Sequence, residues 1–309
     1  MTTQDSDIAL LTSSAYKVSH AAEGDWYLAN ILKEDQLLQE ALKERGITSV
    51  RVDWADPEVD WESFKCVVFR TTWDYFERFR EFTLWLNRVE KLTRLCNDIS
   101  LIRWNMDKHY LKDLENRGIP VVDSLMIEKE STLDLRSLLE ESGWTEGVIK
   151  PCVSGAARHT YRVNRESAAE IEKFIRPLLS GESFILQPFL PEIMTTGEDT
   201  LMVIGGEVTH AVRKVAKEGD FRVQDDHGGT VHEYKPLQEQ VQLAVKAMDA
   251  CNPEPVYGRV DMVRNLEGEW VVMELELIEP ELWMRTHPEA AEVFAEALSK
   301  FMEGAPQSR

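Results

Sequence analysis

Three carboxylates toward the C-terminal end raise the first chemical question. In the run EWVVMELEL, strand alternation sends Met273, Leu275 and Leu277 to one face and Glu274 and Glu276 to the other. The run GRVDMVR before it reads as a partner strand, and a turn around NLEGE centres the pairing between residues 267 and 268. Asp261 then stands opposite Glu274, with Cβ atoms roughly 4.5–5.5 Å apart. Three carboxylates on one sheet face repel one another unless a cation joins them, and hard ions such as Mg²⁺ take oxygen ligands of this kind. On alternation alone, a solvent-facing acidic strand explains the two glutamates equally well; the aspartate at the matching register favours the metal. No HExxH or cysteine-rich set points to zinc.

Cationic residues supply the complementary chemistry. Lys150 ends the apolar strand GVIK, directly before PCVSGAARHT. An ammonium there, with backbone N–H groups from Ser154 and Gly155 to Ala157 closing over oxygens, suits a phosphate. A plain small-residue turn between strands explains the same run about twice as readily. Lys108, at a helix start in WNMDKHYL, reads by itself as a solvated helix residue. Arg70 follows the strand CVVF and so lies at a carboxyl strand end, where open α/β sheets place ligand crevices. With Trp73, Asp74 and Tyr75 it suits an amino-acid-like molecule, although RTTWDY reads equally as a helix entry. Arg259, beside Asp261, is expected on the opposite side of its strand with a salt bridge as its role. Arg285 is a candidate anchor for a substrate carboxylate.

The elements that must position these residues follow from periodicity. Ile8–Leu11, Val50–Val52 and Cys66–Phe69 read as buried strands, QLLQEALKER as a helix stopped by Gly46, and Glu81 to Arg94 as a second helix. That order favours an open sheet covered by helices. From Trp104 the pattern predicts a helix at Met106–Asn116, a strand at Val121–Val122, a helix over 133–141, strands at 147–150 and Thr160–Val163, and a helix over 166–179. Longer strands begin at Phe184, with a hairpin at Gly205–Gly206 and helices over 237–250 and 288–303. The expected domains are 1–103, 104–186 and 187–309.

Composition bounds the partners. Among 309 residues, 35 basic and 55 acidic side chains leave a formal charge of −20, which argues against nucleic acid or an anionic membrane. No apolar run approaches the 18 or so residues of a membrane span. The N-terminus lacks a basic, apolar leader, and four scattered cysteines form no CxxC pair. A reduced cytoplasmic protein is the expectation.

Taken in order, WNMDK (104–108), VIKPCVSGAAR (148–158), LQPFLPEIMTTGED (186–199), RKVAKEGDFRVQDDHGG (213–229), VDMV (260–263) and MELELIEP (273–280) resemble the ATP-grasp superfamily, in its glutathione-synthetase-like and RimK-like branch. RTTWDYFERFREF is also similar to a bacterial group that includes a D-cycloserine-forming ligase. The resemblance implies an α/β fold in which an N-terminal open-sheet domain precedes two α+β domains that clamp ATP. It implies that Lys108 and Lys150 contact phosphates, that Ser154 and Gly155 lie in the phosphate loop, and that Gln187, Phe189 and Leu190 form the adenine hinge. Glu198 would bond the ribose, and Asp261, Glu274 and Glu276 would hold two Mg²⁺, with Mn²⁺ as a substitute. Lys214 and Arg222 would lie over the γ-phosphate and acyl phosphate, and Gly228 and Gly229 would form the substrate turn.

Three positions depart from the branch. Glu276 stands where Asn is usual, Thr200 where Arg is frequent, and Gln224 where Asn is frequent; these bear on the acceptor rather than on ATP. The implied activity joins a carboxylate and an amine on amino acids or small peptides through an acyl phosphate. Two variants use the same residues: an intramolecular cyclising ligase and a non-catalytic ATP-binding switch. A metal phosphohydrolase has no use for the hinge and the lysines. His227 reads as structural, and a homodimer is the usual arrangement of related enzymes.

Overall fold

The computed structural model describes residues 6–217 and 228–304. The first unit is β1 (Ile8–Thr12), α1 (Trp26–Glu44), β2 (Ser49–Asp53), β3 (Cys66–Thr71), α2 (Phe79–Val89) and β4 (Arg94–Cys96). Its sheet is wholly parallel, in the order β2-β1-β3-β4. Strands β1 and β3 are buried along their full length, as a sheet covered on both faces requires.

Helix α1 begins ten residues before the predicted run, where the Asp25 carboxylate accepts from Leu28 N at 3.0 Å. Its inner face is Ile31, Glu34, Asp35, Leu38, Ala41 and Leu42. Two buried carboxylates interrupt the apolar stripe and hide the helix's first half from periodicity. Helix α2 is shorter than predicted, because Arg94–Cys96 pairs with Cys66–Val68 as a strand.

The predicted helix at Met106–Asn116 is helical only from Tyr110, as α4 (Tyr110–Asn116); an unpredicted helix α3 (Ile99–Asn105) precedes it, with Lys108 at the break between the two. The backbone N–H of Lys108 donates to Cys152 O at 2.9 Å, which ties the break to the neighbouring sheet. The apolar pair Val121–Val122 forms only an isolated bridge to Val272. The regular strand comes later as β5 (Leu125–Ile127), followed by α5 (Leu135–Ser142), β6 (Glu146–Pro151), β7 (Tyr161–Asn164), α6 (Ala168–Ile175) and β8 (Phe184–Pro188). These strands make an antiparallel sheet in the order β5-β8-β6-β7.

The last unit holds α7 (Glu192–Thr195), β9 (Glu198–Ile204), β10 (Glu207–Val215), β11 (Thr230–Glu233), α8 (Gln238–Asp249), β12 (Tyr257–Arg264), β13 (Trp270–Glu276) and α9 (Glu289–Glu303). Its antiparallel sheet runs β11-β10-β9-β12-β13. Gly205 and Gly206 both take positive φ and close the β9–β10 hairpin. One core joins the first and last units: Ile8, Leu10 and Leu38 pack with Met202, Ile204 and Phe294. The N-terminal sheet is thereby fixed against the sheet that carries the acidic residues.

Candidate active site

The β12–β13 hairpin has the predicted register, with Asp261 opposite Glu274 and Arg259 opposite Glu276. A bulge lies between that pair and Met262↔Val272, which leaves Met273 as the extra residue. Met273 therefore leaves the Leu275 and Leu277 set. It packs beside Val122, Leu190 and Ile193 and lines the main cavity. Although β13 is an edge strand, its edge beyond the Val121–Val272 bridge is satisfied by side chains. Asn105 donates to Leu275 O and accepts from Leu277 N, both at 2.8 Å, and Tyr110 Oη accepts from Leu275 N at 3.0 Å. These bonds hold the alternation that aims Glu274 and Glu276 the same way.

Each of the three carboxylates meets a cationic side chain. Lys214 Nζ lies 2.9 Å from Asp261, and it also pairs with Glu198. Lys108 Nζ donates to Glu274 at 2.7 Å and to Ser154 O at 3.1 Å. Arg259 bonds both oxygens of Asp261, at 3.0 and 2.9 Å, and pairs with Glu276. Residues two apart on a strand share a face, so Arg259 stands with Asp261 rather than behind it. Burial pulls Asp261 upward, but Arg259 and Lys214 outweigh it and hold the carboxyl well below the usual range. For Glu274, burial is likewise outweighed by Lys108 and Lys150, and the group falls to about 2. Burial wins at Glu276 and Glu198, pushing each up to about 7 despite Arg259 and Lys214.

Across the cleft, Lys150 comes from β6 and has no ion pair among the described residues. Burial lowers its pKa, partly offset by Glu274. Lys108, Lys150, Ser154, Gly155, Gln187, Phe189, Leu190, Glu198, Lys214 and the three carboxylates all line one cavity of about 330 Å³. Ala156 and Ala157 both adopt positive φ in the loop above it, which costs about 1–3 kcal/mol each. At the apolar end, Val148, Pro188, Ile193 and Met273 join Gln187, Phe189 and Leu190. Gln187 donates to Ser124 Oγ at 3.0 Å, and Arg162 stacks 3.7 Å over the Phe189 ring. Gly197, just before Glu198, has φ +92°, and a Cβ there would sit 2.3 Å from Lys214 O. Only glycine lets these two strands meet so closely.

Because Lys150 bonds no carboxylate among the described residues, its removal tests phosphate contact cleanly. Lys150→Ala is expected to weaken Mg·AMPPNP binding by about 10- to 100-fold, the range for losing a charge-assisted hydrogen bond. Calorimetry reads this directly, and unchanged affinity would take Lys150 out of the phosphate site.

Other candidates stand elsewhere. Arg70 is 2% exposed and does not line the main cavity. Its Nε bonds Asp35 at 3.2 Å, and a guanidinium N–H reaches Pro280 O at 3.5 Å. Arg285 pairs with Glu34 at 3.2 Å and Glu281 at 2.6 Å. Gly228 and Gly229 lie ahead of β11, outside the cavity lining, with Lys217 against Gly228. Arg222, Gln224 and His227 lie outside the described residues. Sequence reading did not single out Glu279, Trp283 or Asn105. Trp283 takes φ +44° on the cavity wall, an outlying conformation for a bulky residue, and only the structure reveals it.

The donor set of Asp261, Glu274 and Glu276 fits Mg²⁺, being hard carboxylate oxygen on one sheet face. In this structure the three engage Lys214, Lys108 and Arg259, and the Arg259 guanidinium links Asp261 to Glu276. Among the described residues, three donors gather within 4.8 Å only at Asp107, His109 and Cys152. There, both His109 nitrogens are engaged, by Asp107 at 2.5 Å and Glu128 at 3.1 Å. Burial also pushes the Cys152 thiol up to about 12, so that group is a poor metal site.

Comparison with known proteins decides the family. Residues 114–284 match the RimK-like ATP-grasp domain, and residues 8–97 match the N-terminal domain of D-cycloserine synthetase DcsG. This chain is a RimK-like ATP-grasp ligase. The ligase is 33% identical over 281 residues to the cycloserine biosynthesis protein DcsG of Streptomyces lavendulae, covering 85% of this chain and 92% of that protein. It is 30% identical over 140 residues to a probable alpha-L-glutamate ligase of Parasynechococcus marenigrum, covering 45% of this chain and 29% of that one. The crystal structure of D-cycloserine synthetase DcsG superposes with a TM-score of 0.80 at 31% identity, covering 96% of this chain and 99% of that one. The ATP-grasp ligase PsnB, solved with Mg and ADP, shares the fold at a TM-score of 0.62 and 20% identity, over 96% of this chain and 99% of that one. As an ATP-grasp ligase the protein uses ATP and Mg. No described helix is long and apolar enough to cross a membrane.

Proposed function

We propose that the ligase activates the carboxylate of an amino acid or small peptide-like molecule by phosphoryl transfer from ATP, then joins it to an amine. The observation that carries this reading is the facing of Asp261, Glu274 and Glu276 toward Lys108 and Lys150 across one cleft between two sheets. Asp261, Glu274 and Glu276 would hold two Mg²⁺, with Mn²⁺ as a substitute; such ions supply charge neutralisation on the phosphates. Gln187, Phe189 and Leu190 bound the adenine end, and Glu198 reaches toward the ribose. Lys108 and Lys150 bind phosphate oxygens, with Ser154 and Gly155 in the loop above them. Lys214, and Arg222, which lies outside the described residues, are assigned to the γ-phosphate and the acyl phosphate.

The substrate carboxylate oxygen bonds to the γ-phosphorus as the bond to ADP breaks. An amine then attacks the acyl carbon and expels phosphate, losing a proton. The chain's part is positioning and charge. The three sheets support three domains, divided near residue 103 and near the end of β8. Four buried, unpaired cysteines suit the cytoplasm. An intramolecular version, in which one molecule carries both carboxylate and amine, is favoured by the N-terminal match to D-cycloserine synthetase.

Trapping separates a ligase from a phosphohydrolase. With ATP, Mg²⁺, a carboxylate substrate and hydroxylamine, hydroxamate is expected to form in step with ADP. ADP and phosphate release with no hydroxamate would refute acyl-phosphate formation.

A further inference from the structure

The end of the cavity away from the adenine site has a distinct composition. Tyr16, Tyr27, Trp73, Tyr75 and Trp283 line it together with Glu279. Tyr16 packs edge-on against Trp73 with centroids 5.4 Å apart, and Tyr27 leans on the same ring at 6.3 Å. Trp73 Nε1 donates to Glu279 O at 3.0 Å, so the aromatic wall fixes the backbone that carries the carboxylate.

Charge is unbalanced here. Six carboxylates and four cationic side chains are among the described lining residues. Glu198, Asp261, Glu274, Glu276 and Glu281 each pair with lysine or arginine. Among the described residues Glu279 has no such partner. Burial, then the neighbouring Glu276 charge, push its carboxyl up to about 8. A carboxyl with no cationic partner in a cavity lined by aromatic rings gains its charge when a cation pairs with it. In the same cavity Arg259 and Lys214 stand 5.2 and 5.9 Å from the Trp283 ring centre, shared among Asp261, Glu276 and Glu198. A carboxyl group and two cations lining one cavity complement a zwitterion.

We propose that Glu279, in the cavity it lines with Tyr16, Tyr27, Trp73, Tyr75 and Trp283, holds the ammonium group of the carboxylate substrate. The activated molecule is therefore an amino acid with a free ammonium, its carboxylate directed toward Lys214 and Arg259. This rests on the ligase reading above and names its substrate class.

The test measures ADP release by the full chain with Mg·ATP and the D and L forms of the common amino acids, each beside its deaminated counterpart. At least one amino acid is expected to stimulate release, while its counterpart does not. Glu279→Gln is expected to raise KM for that amino acid on the order of 30-fold, from the loss of a charge-assisted contact, with Glu279→Asp retaining most of it. Mg·AMPPNP affinity should stay within about twofold in both variants. Equal use of a deaminated counterpart, an unchanged KM in Glu279→Gln, or no stimulation by any amino acid would overturn the proposal. The comparison of amino acid with counterpart uses the natural chain and stands even if a variant misfolds. Failure of the natural chain to bind Mg·AMPPNP would instead strike the ligase reading.

Discussion

Replacing Glu274 with Gln is expected to stop ADP formation while leaving the fold in place. Glu274 sits mid-hairpin opposite Asp261, and its carboxylate receives Lys108 Nζ at 2.7 Å. Glutamine preserves the volume and still offers Lys108 one acceptor. The negative charge is lost, and with it the counter-ion of Lys108 and Lys150 and one of the oxygen donors proposed for Mg²⁺. Removing one such electrostatic group costs on the order of 10²–10³-fold in turnover, and the lost ligand adds to that. The charge effect is constant over ordinary assay conditions. Glu274 is depressed in the folded state, so its stabilising contribution is complete above its ordinary value of 4.5 and disappears as pH falls toward about 2. A coupled ADP assay at neutral pH and a thermal melt decide the matter. Wild-type turnover would remove Glu274 from the metal set.

That residue was legible in the sequence because two independent patterns agreed on it. Alternation in MELEL set the face, and the turn at NLEGE set the register, so Asp261↔Glu274 followed without coordinates. The same reasoning missed Met273, since a bulge adds one residue on one strand only and leaves no periodic trace. It also put Arg259 on the wrong side, although residues two apart share a strand face. The meeting of Lys108, Lys150 and Glu274 joins a helix break, one sheet and the edge of another; periodicity cannot express such contacts. They were expected only because the motif order resembles a family. At the substrate end, the limit was helix α1. Read from Gln36 onward, it hid Glu34 and Asp35, the carboxylates that engage Arg285 and Arg70. Glu279 was passed over because a carboxylate in a loop is ordinary until its burial and missing partner are seen.

Asn97→Ala is expected to be the most destabilising of these substitutions, although Asn97 does not line the cavity. Asn97 is fully buried, and its Nδ2 donates to Tyr257 O and Leu277 O, both at 2.8 Å. Its Oδ1 accepts from Val256 N at 2.6 Å. Nearby, Tyr257 Oη donates to Ile278 O at 2.7 Å and lies 3.1 Å from Phe69 O. Through this knot the parallel sheet grips the entry of β12 and the exit of β13, within a few residues of Asp261 and Glu276. Alanine leaves two buried carbonyls and one N–H unsatisfied, each costing about 1–3 kcal/mol. With each loss toward the lower end of that range, a total of about 3–5 kcal/mol reaches the edge of the exceptional range for single substitutions. At about 2–4 °C per kcal/mol for a chain of this size class, Tm should fall by roughly 6–20 °C. Because the knot holds the ends of the strands that present the carboxylates, KM for Mg·ATP should rise in the folded fraction as well. A melt within 2 °C of the natural chain, which is about 1 kcal/mol or less on the same scale, would mean that apolar packing of Leu10, Met202 and Phe294 alone fixes the two sheets.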